Sequence, residues 1–175
     1  MSVLLSPLAL LLSAFYFFYF ALVGVYVIFM PKVLLDLGYD AVEVGIIYAA
    51  APFMRFLLPF IFRHFIALTP KVYLSALGLS FLATMLFWGT IDNFWLYLAA
   101  NLLFGGAMGI SLPYVETIAL AVLSKSHYGK VRLWGSLGFM GIALWLGKIL
   151  EGPHEALYYL AATALLTMLF GAAIV

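Results

Sequence analysis

Six apolar runs, separated by short polar breaks, fill almost the whole of this 175-residue chain. A helix that crosses a bilayer needs about 20 mostly apolar residues, and each run is long enough for one span. Barrel strands would need alternating polar and apolar positions, and that alternation is absent from the sequence. The runs therefore predict α-helical spans at residues 7–30, 41–62, 72–89, 94–122, 131–149 and 155–175.

Turn-forming residues mark the breaks between the predicted spans. Pro31 ends the first run, and Gly38 lies in the polar turn that follows it. Pro70 separates the second and third runs, Asn93 the third and fourth, and Pro153 follows a glycine between the fifth and sixth. This punctuation supports six separate helices connected by short loops.

The order of the spans, three followed by three, suggests two three-helix inverted repeats. We place the first repeat at residues 1–89 and the second at 90–175, within one domain covering residues 1–175. The first helix of each triplet is interrupted, by Gly24 in one and by Gly105, Gly109 and Pro113 in the other. Such interruptions at corresponding positions indicate a transporter's binding site, although small residues four apart also serve plain helix packing.

Charge at the helix ends predicts the orientation of the chain. Cytoplasmic loops carry an excess of lysine and arginine. Bases flank the second and fourth connections: Arg63, His64, Lys71, Lys125, Lys130 and Arg132. Acidic residues dominate the other three: Asp36, Asp40, Glu43, Asp92, Glu151 and Glu155. The even connections, and with them the N-terminus, are therefore predicted to face the cytoplasm.

Composition excludes several classes of function. Only 9% of the residues are charged, against about 25% in an average soluble domain, so most of the surface is expected to face the lipid bilayer. A net charge of +1 gives no indication of a nucleic-acid partner. Cysteine is absent, the histidines lack metal-site spacing, and no catalytic motif appears, so we expect no metal, no cofactor and no enzyme activity.

Two opposite charges within the predicted spans, Glu116 and Arg132, are the strongest functional candidates. The hairpin between the fourth and fifth spans centres near Ser126, and the rise of a helix places both charges inside the cytoplasmic half at depths about 6 Å apart. A pair at this position offers a solute a carboxylate and a five-donor guanidinium. Alternatively, the pair only orients two helices, or Arg132 extends to lipid phosphates at the interface.

Three further residues are candidates for lining a cavity. Arg55 lies eight residues inside Arg63, so about 12 Å deep, and suits an anionic substrate. Its alternative is again extension to the interface or packing. Tyr19 and Tyr26 lie seven residues apart on one predicted face of the first helix and are the aromatic residues we expect beside a substrate.

At four segments the chain resembles the N-terminal half of a major facilitator superfamily transporter, in the branch holding lactose permease and the phenylpropionate permeases. Pro113-Tyr114-Val115-Glu116 resembles that branch's fourth helix, and Tyr128-Gly129-Lys130-Val131-Arg132-Leu133-Trp134-Gly135 the opening of its fifth. Phe18-Tyr19-Phe20, followed by Gly24-Val25-Tyr26, resembles the first helix, and Val44-Gly45-Ile46-Ile47-Tyr48-Ala49-Ala50 the second. The resemblance covers essentially the whole chain.

The resemblance implies roles for individual residues. Glu116 and Arg132 would belong to the substrate site. Phe139 would occupy the position where a sugar transporter of this branch stacks a tryptophan, so phenylalanine weakens a sugar assignment. Arg55 is similar to an arginine of the phenylpropionate permeases and favours an organic acid. The superfamily's loop motif after the second helix is not recognisable from Phe62 onward.

The resemblance further implies a secondary transporter of a bacterial-type inner membrane. Its small polar or anionic substrate would bind near mid-membrane and move by alternating access, with a proton as the expected coupling ion. The chain stops at Val175 within an apolar run, so we expect a C-terminal six-helix half, or a second copy, to complete it. The alternative is a non-transporting or half-size dimerising helix bundle that serves as a scaffold.

Overall fold

The computed structural model describes residues 6–152 and 154–175, and its regular elements there are helices. Pro153, part of one predicted break, and residues 1–5 of the predicted first repeat lie outside the described residues. The elements are α1 (Pro7–Gly24), a π-helical turn (Val25–Phe29), α2 (Met30–Asp36), α3 (Ala41–His64), α4 (Pro70–Thr90), α5 (Phe94–Val122), α6 (Lys125–Ile149) and α7 (Glu155–Ala172).

Side-chain caps fix where four of these helices begin. The Ser6 hydroxyl accepts from the Ala9 N–H, and the Thr69 and Asn93 side chains cap α4 and α5 in the same way. Asp40 opens α3 with a reciprocal capping box. Each cap satisfies backbone donors that the first helical turn leaves unpaired. The polar breaks in the sequence thus become the helix starts.

The first helix does not end at Pro31, so that prediction is wrong. α1, the π-helical turn and α2 form one continuous rod of 30 residues, Pro7–Asp36. In the π-helical turn the Met30 N–H bonds to the Val25 carbonyl, and Pro31 has no N–H to offer the next carbonyl, that of Tyr26. The Tyr48 hydroxyl supplies that donor from α3 at 2.8 Å. The proline is accommodated because a neighbouring helix replaces its missing hydrogen bond.

Six helical rods correspond to the six predicted spans. Five of them are long and apolar enough to cross a membrane: Pro7–Asp36, Ala41–His64, Pro70–Thr90, Phe94–Val122 and Glu155–Ala172. α6 is 25 residues long, but its glycines, Arg132 and Lys148 make it less apolar than the others. The protein is therefore a multi-pass helical membrane protein.

Two central rods organise the packing. The first rod packs through α1 against α6 and α7, α5 packs against α3 and α4, and α4 meets α7. Glycines allow the closest approaches, since a Cβ on Gly105 would lie 2.5 Å from the Ala51 Cα atom. On the other side, a Cβ on Gly138 would collide with the backbone of Phe17. The two glycine-rich crossings bring the charged helices α3 and α6 close to the central rods.

Candidate functional site

An ion pair between α5 and α6 forms the centre of the candidate site. The Arg132 Nε atom lies 3.2 Å from the Glu116 Oε1 atom, and about a third of each side chain is exposed. Among residues 6–152 and 154–175 this is the only ion pair. The two helices touch little elsewhere, so the pair joins rods that are otherwise separate. Partial exposure leaves both groups open to a solute.

Two aromatic rings of α1 hold the Arg132 guanidinium. Its central carbon lies 4.4 Å from the Phe20 ring centroid and 5.1 Å from that of Tyr16. Phe20 fits against Gly135, where an added Cβ would lie 2.6 Å from a ring carbon. Cations are attracted to ring faces at such distances. The arginine is therefore fixed at its aromatic contacts while its remaining N–H groups stay available.

A cavity of about 420 Å³ lies next to the ion pair, between α1, α3 and α5. Its walls are mainly apolar and include Phe20, Leu58, Phe62, Met108 and Leu112. Phe20 touches both features, because one ring lines the cavity and contacts Arg132. The volume falls within the range of about 300–1,000 Å³ that holds small organic ligands.

Arg55 brings a positive charge to the wall of this cavity. Its stem packs on α5, where a Cβ on Gly109 would lie 3.2 Å from the Arg55 Cγ atom. Arg55 is exposed, and it takes part in no ion pair within the described part of the chain. Pro59 and Pro113 also line the cavity, and each removes the backbone donor for a carbonyl one turn earlier. The cavity thus combines a free guanidinium with a mainly apolar wall.

Tyr19 joins the cavity wall to α5. Its side chain lines the cavity, and its hydroxyl donates to the Met108 carbonyl at 3.0 Å. Of the two tyrosine candidates, Tyr19 is therefore the one that the structure places at the cavity.

Tyr26 occupies a different place from Tyr19. Its ring is 5% exposed and packs on Tyr48 and Phe104. Its hydroxyl donates to the Asn101 Oδ1 atom at 2.7 Å. Tyr26 does not line the cavity among the described residues, and its hydrogen bond joins the π-helical turn to α5.

Phe139 and Gly24 lie together at the α1–α6 crossing, away from the cavity. A Cβ on Gly24 would lie 3.4 Å from the Phe139 ring and 2.7 Å from an Ile142 methyl carbon. Gly105 similarly lies against Ala51, whereas Gly109 and Pro113 line the cavity itself. The interrupted helices thus contribute both close packing and part of the cavity wall.

Phe20 and Tyr16 are the residues that sequence reasoning missed. Both belong to the aromatic run of the first helix and lie four residues apart, so their rings share one face. That spacing is visible in the sequence, but Arg132, the side chain that these two rings contact, lies more than a hundred residues away. Leu68, from the loop before α4, also lines the cavity, and its sequence carries no signal for this.

The arrangement suits reversible binding better than bond chemistry. It offers a carboxylate, two guanidinium groups and a mainly apolar wall, all within membrane-spanning rods. Among the described residues, no group of three acidic, cysteine or histidine side chains is placed to hold a metal. A multi-pass helical protein with ionisable groups inside its spans has the features of a membrane transporter.

Comparison with known families agrees with this class. The model of the MFS_1-like family matches residues 9–175, so the chain belongs to this family of the major facilitator superfamily. The chain is also 30% identical, over 163 residues, to the probable 3-phenylpropionic acid transporter of Escherichia coli strain K12. The aligned region covers 87% of this chain and 40% of that protein. No solved structure matches the chain.

Proposed function

We propose that this chain is the N-terminal domain of a secondary transporter that carries a small organic anion across a bacterial inner membrane. Family membership and the relative's name support transport in general. The observation that carries the narrower proposal is the pair of guanidinium groups, Arg55 and Arg132, beside one mainly apolar cavity. A substrate with one carboxylate and an apolar or aromatic body matches that chemistry.

The two arginines have different roles in this proposal. Arg55 stands free at the cavity wall and provides the first charge that an incoming carboxylate meets. Arg132 is paired with Glu116, and a bound carboxylate competes with Glu116 for its planar N–H fork. Phe20 and Tyr19 provide the aromatic surface between them. Substrate binding thus loosens an ion pair that otherwise ties α5 to α6.

Alternating access requires a second domain facing this one, either a C-terminal six-helix half or another copy. The helix pairing supports the inverted-repeat arrangement behind that mechanism. If the first three rods are exchanged in order for the last three, the first rod corresponds to α5, α3 to α6 and α4 to α7. The contact of the first rod with α6 then corresponds to the contact of α5 with α3. The same exchange turns the first rod's pairing with α7 into that of α5 with α4, and leaves α4–α7 unchanged. Such symmetry is the usual basis for rocking around a mid-membrane site.

Orientation and coupling are part of the same proposal. We assign the two connections that carry Arg63, Lys71, Lys125 and Lys130 to the cytoplasm, and the N-terminus with them; the excess of basic residues there supports this orientation. We propose a proton as the ion that accompanies the substrate in symport.

Uptake by the full-length transporter tests the proposal. Proteoliposomes are loaded with a pH-sensitive dye and given radiolabelled 3-phenylpropionate, with a neutral sugar as the comparison. Wild type should accumulate the acid and acidify the lumen. Arg132→Lys and Arg55→Gln should each raise KM more than tenfold, since one lost charge-assisted hydrogen bond is worth about 1.5–3 kcal/mol. Glu116→Gln should lower KM, because a bound carboxylate then no longer competes with Glu116 for Arg132.

Arg63→Gln is the matched control, because it removes a positive charge from the exposed end of the same helix as Arg55. It should leave KM unchanged. Equal uptake by wild type, Arg55→Gln and Arg132→Lys would refute the assignment of the site. Failure of the complete wild-type protein to move any organic acid would favour the non-transporting bundle instead.

A further inference from the structure

A second cavity, of about 510 Å³, lies on the other side of α1, in the groove between α6 and α7. Phe17 and Phe18 form its floor. Gly138 and Gly141 contribute to one wall, and Tyr159 and Ala162 to the other. It shares none of its lining residues with the candidate substrate cavity, so it requires a separate explanation.

The chemistry of this groove excludes a polar solute. Its lining is almost wholly carbon, and the hydroxyl of Thr163, on one wall, donates to the Tyr159 carbonyl of its own helix. A polar ligand would lose its hydration there and gain no hydrogen bond in return. An occupant must therefore be hydrocarbon where it lies between the two walls.

The groove, which ends on α6 at Trp145, and the base that follows it at Lys148 together match the depth of one leaflet of a bilayer. Gly138, Gly141, Trp145 and Lys148 follow one another on a single face of α6. The ten helical steps from Gly138 to Lys148 rise about 15 Å, which is half of the roughly 30 Å hydrocarbon core. A chain lying along this face would run from the bilayer centre to one interface.

The outer end of the groove has the features of a membrane interface. Trp145 and Tyr159 meet edge to face across it, with ring centroids 5.3 Å apart. Lys148 follows within one further turn, exposed and without an ion pair in the described part of the chain. Aromatic rings gather at the depth of lipid headgroups, and lysine extends from there to phosphates. The positive charge thus lies where a lipid phosphate would lie.

We propose that this groove holds one acyl chain of a membrane phospholipid whose phosphate is bound by Lys148. The apolar lining, the leaflet length and the position of the base each match one part of that molecule. A bound lipid would fill the space between α6 and α7, two helices that both pack closely on α1 and meet each other at Trp145 and Tyr159.

A phospholipid with a photoactivatable group on its acyl chain tests the proposal. The delipidated full-length protein is given this lipid at a low ratio and irradiated, and the adducts are mapped by mass spectrometry. Labelling of the groove is expressed relative to Leu144, a residue of α6 that is 63% exposed and reports non-specific lipid. Wild type should label the groove several-fold more than Leu144.

Gly141→Leu should abolish the excess, because its added side chain enters the groove at a position with nothing within 4 Å of a Cβ. Gly89→Leu, on α4 and equally open, is the matched control and should label as wild type does. Lys148→Gln should lower groove labelling several-fold at low lipid ratio. Ala162→Phe, from the opposite wall, repeats the blocking test if Gly141→Leu fails to fold.

Two results would overturn the proposal. One is groove labelling in Gly141→Leu and Ala162→Phe equal to that of wild type, which would mean that the lipid is not between the walls. The other is labelling of Leu144 without labelling of the groove, which would mean that another part of the protein covers it. Neither outcome depends on transport, so the test is independent of the substrate proposal.

Discussion

Replacing Gly105 by alanine tests the close crossing of α3 and α5 beside the candidate cavity. A Cβ there would lie 2.5 Å from the Ala51 Cα atom, about 0.9 Å short of the 3.4 Å at which ordinary contact begins. The obstructing atoms are backbone and Cβ of α3, so no side-chain rotation can relieve the contact. α3 and α5 must instead separate by something near that distance.

We expect this separation to lower both stability and affinity. Overpacking of this kind costs about 1–3 kcal/mol, and the helix propensity that alanine adds returns up to about 1 kcal/mol. Arg55 lies one turn beyond Ala51, so its guanidinium would move with α3, and KM for the organic acid should rise. Thermal unfolding in detergent, followed by size-exclusion chromatography, and proteoliposome uptake would measure the two effects on full-length protein.

Gly106→Ala is a control one residue away. A Cβ there would meet only the terminal methyl carbon of Met54, at 3.2 Å, and that flexible side chain can move. Gly106→Ala should therefore melt at or above the wild-type temperature and keep its KM. A melting temperature for Gly105→Ala equal to that of Gly106→Ala would refute the view that this crossing is set by backbone contact.

Two tyrosine variants, Tyr48→Phe and Tyr39→Phe, test hydrogen bonds made within and just beyond the first rod. Tyr48→Phe should lower stability by about 1–3 kcal/mol, because the Tyr26 carbonyl then has no donor within the membrane. Tyr158→Phe, on a ring that is 63% exposed, should change the melting temperature little, and an equal loss in both variants would contradict this explanation. Burial, with Glu43 and Asp92 nearby, raises the pKa of Tyr39 above 10.0, and its hydroxyl donates to the Ile91 carbonyl. The stabilisation by Tyr39 is therefore complete below pH 10 and is lost as the pH rises through the folded pKa. The stability advantage of wild type over Tyr39→Phe should shrink in alkaline titrations. A constant difference would contradict this assignment.

The helices were predictable because lipid leaves few alternatives. Apolar length located every rod, and polar residues such as Asp40 and Asn93 marked helix starts that the structure places at the same positions. The approach of Glu116 to Arg132 was also accessible, because helix rise fixed their depths and opposite charges in a membrane favour proximity. Sequence patterns are sufficient to locate such helices because the requirement for apolar side chains in lipid applies to each residue separately.

The end of the first rod was not predictable from local rules. Pro31 normally signals a helix end, and the π-helical turn that precedes it has no clear sequence signature. What keeps the rod intact is Tyr48, a residue of another helix. The same limit applies to Tyr26, which shares a predicted face with Tyr19 yet bonds Asn101 in the interior. Both outcomes depend on tertiary partners, which periodicity cannot reveal.

The two arginines occupy comparable places, and this comparison strengthens the case for a solute. Arg132 extends from α6 against rings of α1 beside Gly135, and Arg55 extends from α3 against α5 at Gly109. In both, the stem or the guanidinium plane is packed while N–H groups stay open. An arginine that served packing alone would be expected to have its charge fully paired, because an unpaired charge in lipid costs about 3 kcal/mol or more. Within residues 6–152 and 154–175 Arg55 takes part in no ion pair. About a third of the Arg132 side chain is exposed although it is paired with Glu116. Under the proposed function, a carboxylate that contacts both arginines would supply the missing charge compensation.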